Sequence, residues 1–183
     1  MARFGSALLT ALVLLVAGAS TAQAQSMAAG ALSAQALVAS TNTVDADGTD
    51  STDAGYGGMF LADVTMPLGL FRVGGAMGLG AITSSVDAVS RVFMPLTVSL
   101  GLVYRPSKLW LDLRARAGLW AGVTNQGLSA GPLVSFGAFI GYAFGPTVAV
   151  GPTIDALFVF GHGDTIAVAP GLSLVWVPPD IDD

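Results

Sequence analysis

The sequence predicts an all-β chain folded as an eight-stranded antiparallel up-and-down transmembrane β-barrel. Three observations predict it. The first is Leu109–Val123, where Leu109, Leu111, Leu113, Ala115, Ala117, Leu119, Ala121 and Val123 alternate with Trp110, Asp112, Arg114, Arg116, Gly118, Trp120 and Gly122. A period of two sustained over this length is a strand, because successive side chains of extended backbone point to opposite faces. Wound as a helix, Asp112, Arg114 and Arg116 would fan around the axis and leave no apolar face. The second is repetition: eight segments divide their residues in this way, each long enough for a tilted bilayer crossing of ~9–11 residues. The third is composition. The chain is 53% hydrophobic and 10% charged, with a mean hydropathy of +0.71, against ~25% charged residues in an ordinary soluble domain.

At 183 residues the chain has room for one domain. Its twelve acidic residues are all Asp, and Gly contributes 24 positions. It is too apolar for disorder and too poor in charge for a typical soluble surface. The net charge of −5 and the lack of a basic patch argue against nucleic acid. With no Cys, disulfides, thiol catalysis, Cys-ligated zinc and a lipid-modified N-terminal Cys are excluded.

The N-terminus reads as an export signal. Arg3 supplies the positive region, Ala7–Val16 the apolar core, and Ala22-Gln23-Ala24 an A-x-A cleavage site. The expected organisation is a signal peptide at 1–24, a barrel at 25–177 and an acidic periplasmic tail at 178–183. Cleavage removes Arg3 and takes the charge to −6, from −5 less one positive charge.

The elements follow in order. Gly30–Asn42 alternates weakly and is taken as the first strand. Val44–Ala54, with four Asp, two Thr, a Ser and a Gly, reads as a solvated loop. The second strand is Gly55–Met66, with Tyr56, Phe60, Ala62, Val64 and Met66 on one face and Gly57, Met59, Leu61, Asp63 and Thr65 on the other. Pro67-Leu68-Gly69 turns the chain into Leu70–Ile82, where Phe71, Val73, Met77 and Leu79 oppose Arg72, Gly74, Ala76, Gly78 and Gly80. Thr83–Ser90 is a polar loop. The fourth strand, Arg91–Tyr104, sets Val92, Met94, Leu96, Val98, Leu100, Leu102 and Tyr104 against Phe93, Pro95, Thr97, Ser99 and Gly101. Arg105–Lys108 turns into Leu109–Val123, and Thr124–Ala130 is a third polar loop. Leu133–Phe144, Thr147–Phe160 and Thr165–Val177 are the last three strands, joined by Gly145-Pro146 and by Gly161–Asp164. Pro178-Pro179 stops the final one.

In each segment the bulky apolar face is assigned to lipid. The face of Gly, Ala, Ser, Thr and a few charges is assigned to the lumen, because a small barrel has inner space for small or paired polar groups. Short and long connections alternate, as in outer-membrane barrels with short periplasmic turns, so both termini are expected in the periplasm. Phe71, Tyr104, Tyr142, Phe144 and Trp176 fall toward that rim and Tyr56, Phe158 and Phe160 toward the outer one, as interfacial girdles would.

With these segments in place, the chain resembles the small eight-stranded outer-membrane proteins of the OmpA-membrane-domain and OmpX type. The resemblance is architectural and covers most of the mature chain. Its one local echo is Gly171-Leu172-Ser173-Leu174-Val175-Trp176, similar to the terminal strand read by the barrel-insertion machinery. Ala169 departs from the polar residue usual there, and seven residues follow Trp176. The resemblance implies the bacterial outer membrane, a lipid bilayer and lipopolysaccharide as surroundings, the insertion machinery as a partner, a monomer and no cofactor.

The inward charges are Asp63, Arg72, Asp112, Arg114, Arg116 and Asp155, three acidic and three basic. A lone buried charge is costly, so the balance predicts an ion-pair network filling the lumen. The role expected is structural or surface-interacting. The alternative is a narrow channel or a carrier of small apolar solutes, and the third reading is a lipid-modifying enzyme. Enzymes on such barrels need a His base, a Ser and an orienting acid. His162, with Asp164 and with Ser84, Ser85 or Ser129, is the available set, although a turn residue between two glycines describes His162 better. Asp45-Ala46-Asp47-Gly48-Thr49-Asp50 offers hard oxygens to Ca²⁺ but lacks the spacing and closing Glu of an EF-hand. It is read as a solvated loop, with no metal site assigned. Two rival folds fit less well. A helical membrane protein is interrupted by Gly145-Pro146 and Gly151-Pro152 within the uncharged run 131–154, and a secreted ligand-binding barrel would need a polar outer face.

Overall fold

The computed structural model describes residues 28–44, 48, 50–84, 91–124, 127–161 and 163–176. They form eight strands: β1 (Ala29–Val44), β2 (Asp50–Leu68), β3 (Phe71–Ser84), β4 (Arg91–Tyr104), β5 (Leu109–Thr124), β6 (Gly127–Ala143), β7 (Val148–Val159) and β8 (Asp164–Trp176). Each pairs antiparallel with the next, and β1 pairs with β8 from Gly30↔Trp176 to Asn42↔Asp164, closing the ring. Closure gives every strand two neighbours and leaves no edge with unpaired N–H and C=O groups, the condition for backbone to lie in lipid. No helix among the described residues is long and apolar enough to cross a membrane. The segments 1–24 and 178–183 lie outside the described residues.

Alternation in sequence becomes inside and outside. Along β4, Arg91, Phe93, Thr97, Ser99 and Gly101 are buried while Val92, Met94, Leu96, Val98, Leu100 and Leu102 are exposed. Along β5, Trp110, Asp112, Arg114, Arg116 and Trp120 point inward and Leu113, Leu119 and Val123 outward. Large apolar side chains thus clothe the outer wall, from Leu32 and Phe60 through Leu96 and Val98 to Phe136, Ile140 and Leu172. A wall of this kind in water would be an aggregation surface, and in a bilayer it is the solvated one.

An up-and-down ring puts the β2–β3, β4–β5 and β6–β7 turns at the same end as the start of β1 and the end of β8. These turns are tight. Leu68 pairs with Phe71, leaving Gly69 at φ +67° and Leu70 in the bend. Ser107 takes φ +59° between β4 and β5. At the opposite end two of the connections are shorter than the sequence suggests. The expected loop Val44–Ala54 is largely ladder: Val44 pairs with Asp50, and Ala54 lies well inside β2. Ser51 and Thr52, which read as solvated, bond across the strands to β1 instead, Ser51 Oγ with Thr43 Oγ1 at 2.7 Å and Thr52 donating to Asn42 Oδ1 at 2.9 Å. The expected loop Thr124–Ala130 is likewise the end of β5 and the start of β6. Thr124 pairs with Gly127, at φ +119°, and donates to its carbonyl at 3.2 Å.

Candidate functional site

The chemistry of this molecule lies in its lumen, which has three layers. The middle layer holds all six of the inward charges read from the sequence, arranged as one alternating chain. Arg72 Nη1 donates to Asp112 Oδ2 at 3.4 Å. Arg114 reaches the same oxygen through Nε at 3.0 Å and Asp63 Oδ2 through Nη1 at 3.2 Å. Arg116 donates to both oxygens of Asp63, at 3.3 and 2.9 Å, and to Asp155 Oδ1 at 2.6 Å. Gln35 Nε2 ends the chain on Asp155 Oδ2. The order is Arg72–Asp112–Arg114–Asp63–Arg116–Asp155–Gln35, drawn from β1, β2, β3, β5 and β7.

The charges sum to zero, and every member is buried, from Asp112 at 1% exposure to Arg114 at 8%. Asp112, Arg114, Asp63 and Arg116 each touch two opposite charges, which offsets the desolvation that a single buried ion would suffer. The middle of the chain is centred on β5. A period of two sets Asp112, Arg114 and Arg116 on the same inner face, where the acids of β2 and β7 reach the two guanidiniums.

The two end layers are apolar. Toward the end where β1 starts and β8 finishes, Trp110 and Phe139 pack with Ala29, Ala31, Ala149 and Val175. Toward the other end, Trp120 and Phe93 pack with Leu37, Met59, Ile82, Leu133, Leu157 and Val159. This corrects the expectation of a lumen filled by small or paired polar groups. Inward glycines make room for the rings: a Cβ on Gly80 would stand 2.6 Å from Phe93, and one on Gly141 would stand 2.2 Å from Phe139. Small and large residues therefore interlock across the tapering interior. Trp120, with no exposure, also donates its indole N–H to the Phe160 carbonyl at 2.8 Å.

Two inward polar residues escape a reading limited to obvious charges. Arg91 is 1% exposed, lies over the Trp120 ring at 5.4 Å and donates to Thr165 Oγ1 at 2.9 Å and the Gly163 carbonyl at 3.2 Å. Its parity with Phe93 and Thr97 was the signal. Gln35 shares parity with Ser33, itself 2.5 Å from Ser173 across the β1–β8 seam.

Of the aromatics assigned to the rims, Tyr56, Phe71, Tyr104, Tyr142, Phe144 and Phe160 are exposed on the outer wall, and Phe158 and Trp176 are half-buried. Tyr142 and Phe144 meet edge to face at 5.2 Å, as do Phe136 and Phe158 at 6.4 Å. Arg105 stacks on Trp110 at 3.8 Å, and Lys108 stands over Tyr142 at 5.9 Å, both from the β4–β5 turn.

The enzymatic set is not assembled among the described residues. His162 and Ser85 lie outside them, as does the side chain of Ser84. Ser129 is half-buried in β6, opposite Gly122, while Asp164 is exposed at the start of β8, opposite Asn42. Asp45 and Asp47 of the acidic run also lie outside, and Asp50 is exposed in β2. Among the described residues, no cluster of three or more His, Cys, Asp or Glu could hold a metal ion.

No family model matches the chain, and no curated protein does. Solved structures do. Neisserial surface protein A superposes with a TM-score of 0.52 at 14% identity, over 80% of this chain and 97% of that one. The N-terminal β-barrel domain of Pseudomonas aeruginosa OprF gives 0.45 at 13% identity, over 82% and 98%. At such identity the likeness extends to the fold and no further, and the first superposition carries that statement. The chain has the fold of a small eight-stranded outer-membrane β-barrel.

Proposed function

We propose that the chain is exported by residues 1–24 and inserted in a bacterial outer membrane, with both termini periplasmic, as a structural or surface-interaction protein. The observation that supports this reading is the filled lumen. A neutral chain of buried ion pairs is bracketed by the Trp110–Phe139 layer on one side and the Trp120–Phe93 layer on the other. Such an interior stiffens a wall and offers no aqueous path for diffusing solutes, consistent with the narrow interior of eight-stranded barrels. What the barrel can present is then its rims and its lipid-facing wall. The extended β1–β2 hairpin, with its ladder of Thr, Ser, Asn and Asp, is the part best suited to face the exterior.

The test joins two measurements on the mature chain refolded in detergent. A cold-versus-boiled gel shift with β-type circular dichroism is expected, since a closed ring has no free edge from which SDS can unzip it. In planar bilayers the same material is expected to give no discrete steps. Steps that vanish when Arg114 or Arg116 is neutralised would replace this reading with the narrow channel. Altered lipid A acylation that disappears in His162→Ala would replace it with the enzyme.

A further inference from the structure

Two cavities of about 10 Å³ flank the ion chain, each with the volume of about one water. They differ in the chemistry of their walls. The first is lined by Gly30, Asp63, Arg72, Ser99, Asp112 and Arg114, among others. Three of these residues carry a buried polar atom that no protein group satisfies: Arg72 Nη2, Ser99 Oγ and Asp112 Oδ1; a fourth atom, Arg114 Nη2, makes no hydrogen bond but lies in an ion pair 2.9 Å from Asp112 Oδ2. All three residues are at least nine-tenths buried, at 5, 4 and 1% exposure. The second cavity, lined by Met59, Leu61, Pro95, Thr97, Arg116, Ser135 and Asp155 with their apolar neighbours, has no such atom.

Buried polar atoms without partners are rare in folded proteins, and each asks for an explanation. Here the three constitute a matched set: a guanidinium N–H that must donate, a carboxylate oxygen that must accept, and a hydroxyl that can do either. They are also placed at the weakest link of the chain, the 3.4 Å contact between Arg72 and Asp112.

We propose that the first cavity is a built site for one water molecule, which accepts from Arg72 Nη2, donates to Asp112 Oδ1 and exchanges a hydrogen bond with Ser99. An anion would face the carboxylates of Asp63 and Asp112, and a cation the guanidiniums of Arg72 and Arg114. A neutral molecule that both donates and accepts suits the wall, and the volume admits nothing larger than water. The second cavity, equal in size but with no unsatisfied atoms, serves as the internal control. The water is a bound member of the network and not part of a conducting column, so the inference depends on the closed barrel and not on the surface role proposed above.

Gly101 makes the site testable, because a Cβ there would lie 3.4 Å from Asp112 Oδ1 and 3.2 Å from the Leu113 carbonyl. Gly101→Ala would push a methyl group into the water's place and leave Asp112 Oδ1 unsatisfied. Gly101→Ser would bring the same bulk together with a hydroxyl that can donate to that oxygen. With the full mature chain refolded in detergent, the temperature at which the compact gel band is lost is expected to fall for Gly101→Ala by on the order of 2–4 °C and to recover in part for Gly101→Ser. Equal losses would show a purely steric effect, and no loss for alanine would show that nothing is displaced; either overturns the proposal. A crystal structure supplies the direct measurement. Density for a water within hydrogen-bond distance of Arg72, Ser99 and Asp112, and none in the second cavity, supports the site. An empty first cavity, or a bromide peak after soaking, overturns it.

Discussion

The middle of the lumen and its two ends are built on the same strand from opposite chemistry. β5 contributes Asp112, Arg114 and Arg116 to the charged layer, and Trp110 and Trp120 to the apolar layers on either side. In the charged layer, each group is stable because its neighbours carry the opposite sign, so the failure expected is loss of a partner. In the apolar layers, each ring is stable because a small residue makes room for it, so the failure expected is a change of volume. The contrast also explains why the charges tolerate burial. The rings exclude bulk water from both ends, which strengthens each ion pair but leaves any unpartnered ion with no solvent to turn to.

Removing Asp63 should break this comparison most severely. It bonds both Arg114 and Arg116, so Asp63→Ala leaves two guanidiniums short of a partner at the centre of the chain. A loss of about 3–5 kcal/mol is expected, read as a compact gel band that fails to form or melts far below the parent. Trp120→Ala comes next. It opens a cavity and strands the Phe160 carbonyl, with about 3 kcal/mol lost by the same assay. A third variant sharpens the difference by adding volume. Gly80→Ala forces its methyl against the Phe93 ring and should cost about 1–3 kcal/mol, whereas the double variant Gly80→Ala with Phe93→Leu should recover part of it. The smallest effect lies outside both layers. Thr52→Ala on the exposed β1–β2 hairpin removes the bond to Asn42 and should shift the transition by no more than about 0.5 kcal/mol. If Thr52→Ala instead rivals Asp63→Ala, stability is not concentrated in the lumen.

How legible these layers were in sequence differs between them. The six inward charges were visible because strict alternation puts Asp112, Arg114 and Arg116 on one face of β5, and the same rule sorts Asp63, Arg72 and Asp155. Arg91 obeys that rule too, but it stands at the first position of its strand, before the alternation that sorts the faces has begun. Trp110 and Trp120 shared the parity of the charges, yet a filled interior suggested small side chains. Their fit depends on glycines in other strands, Gly80 and Gly141 among them, which alternation alone does not match to a ring. The outer hairpins were misread for a related reason. Composition scores Ser51 and Thr52 as solvated, but register pairs them with Thr43 and Asn42 across a ladder.

What the sequence determined by itself, then, is local: the count of strands, the face each alternating residue takes, and the six charges of the middle layer that turn inward. Those follow from the two-residue period of extended backbone, which every segment reports independently. The tertiary structure alone decided the rest: the closure of β1 on β8, the order of the ion chain, and the rings that seal it. Those depend on how far each strand slides against its neighbours around the ring. Asp63 meets Arg116 across 53 positions, and Arg116 meets Asp155 across 39, separations at which no local pattern specifies which partner a charge will face.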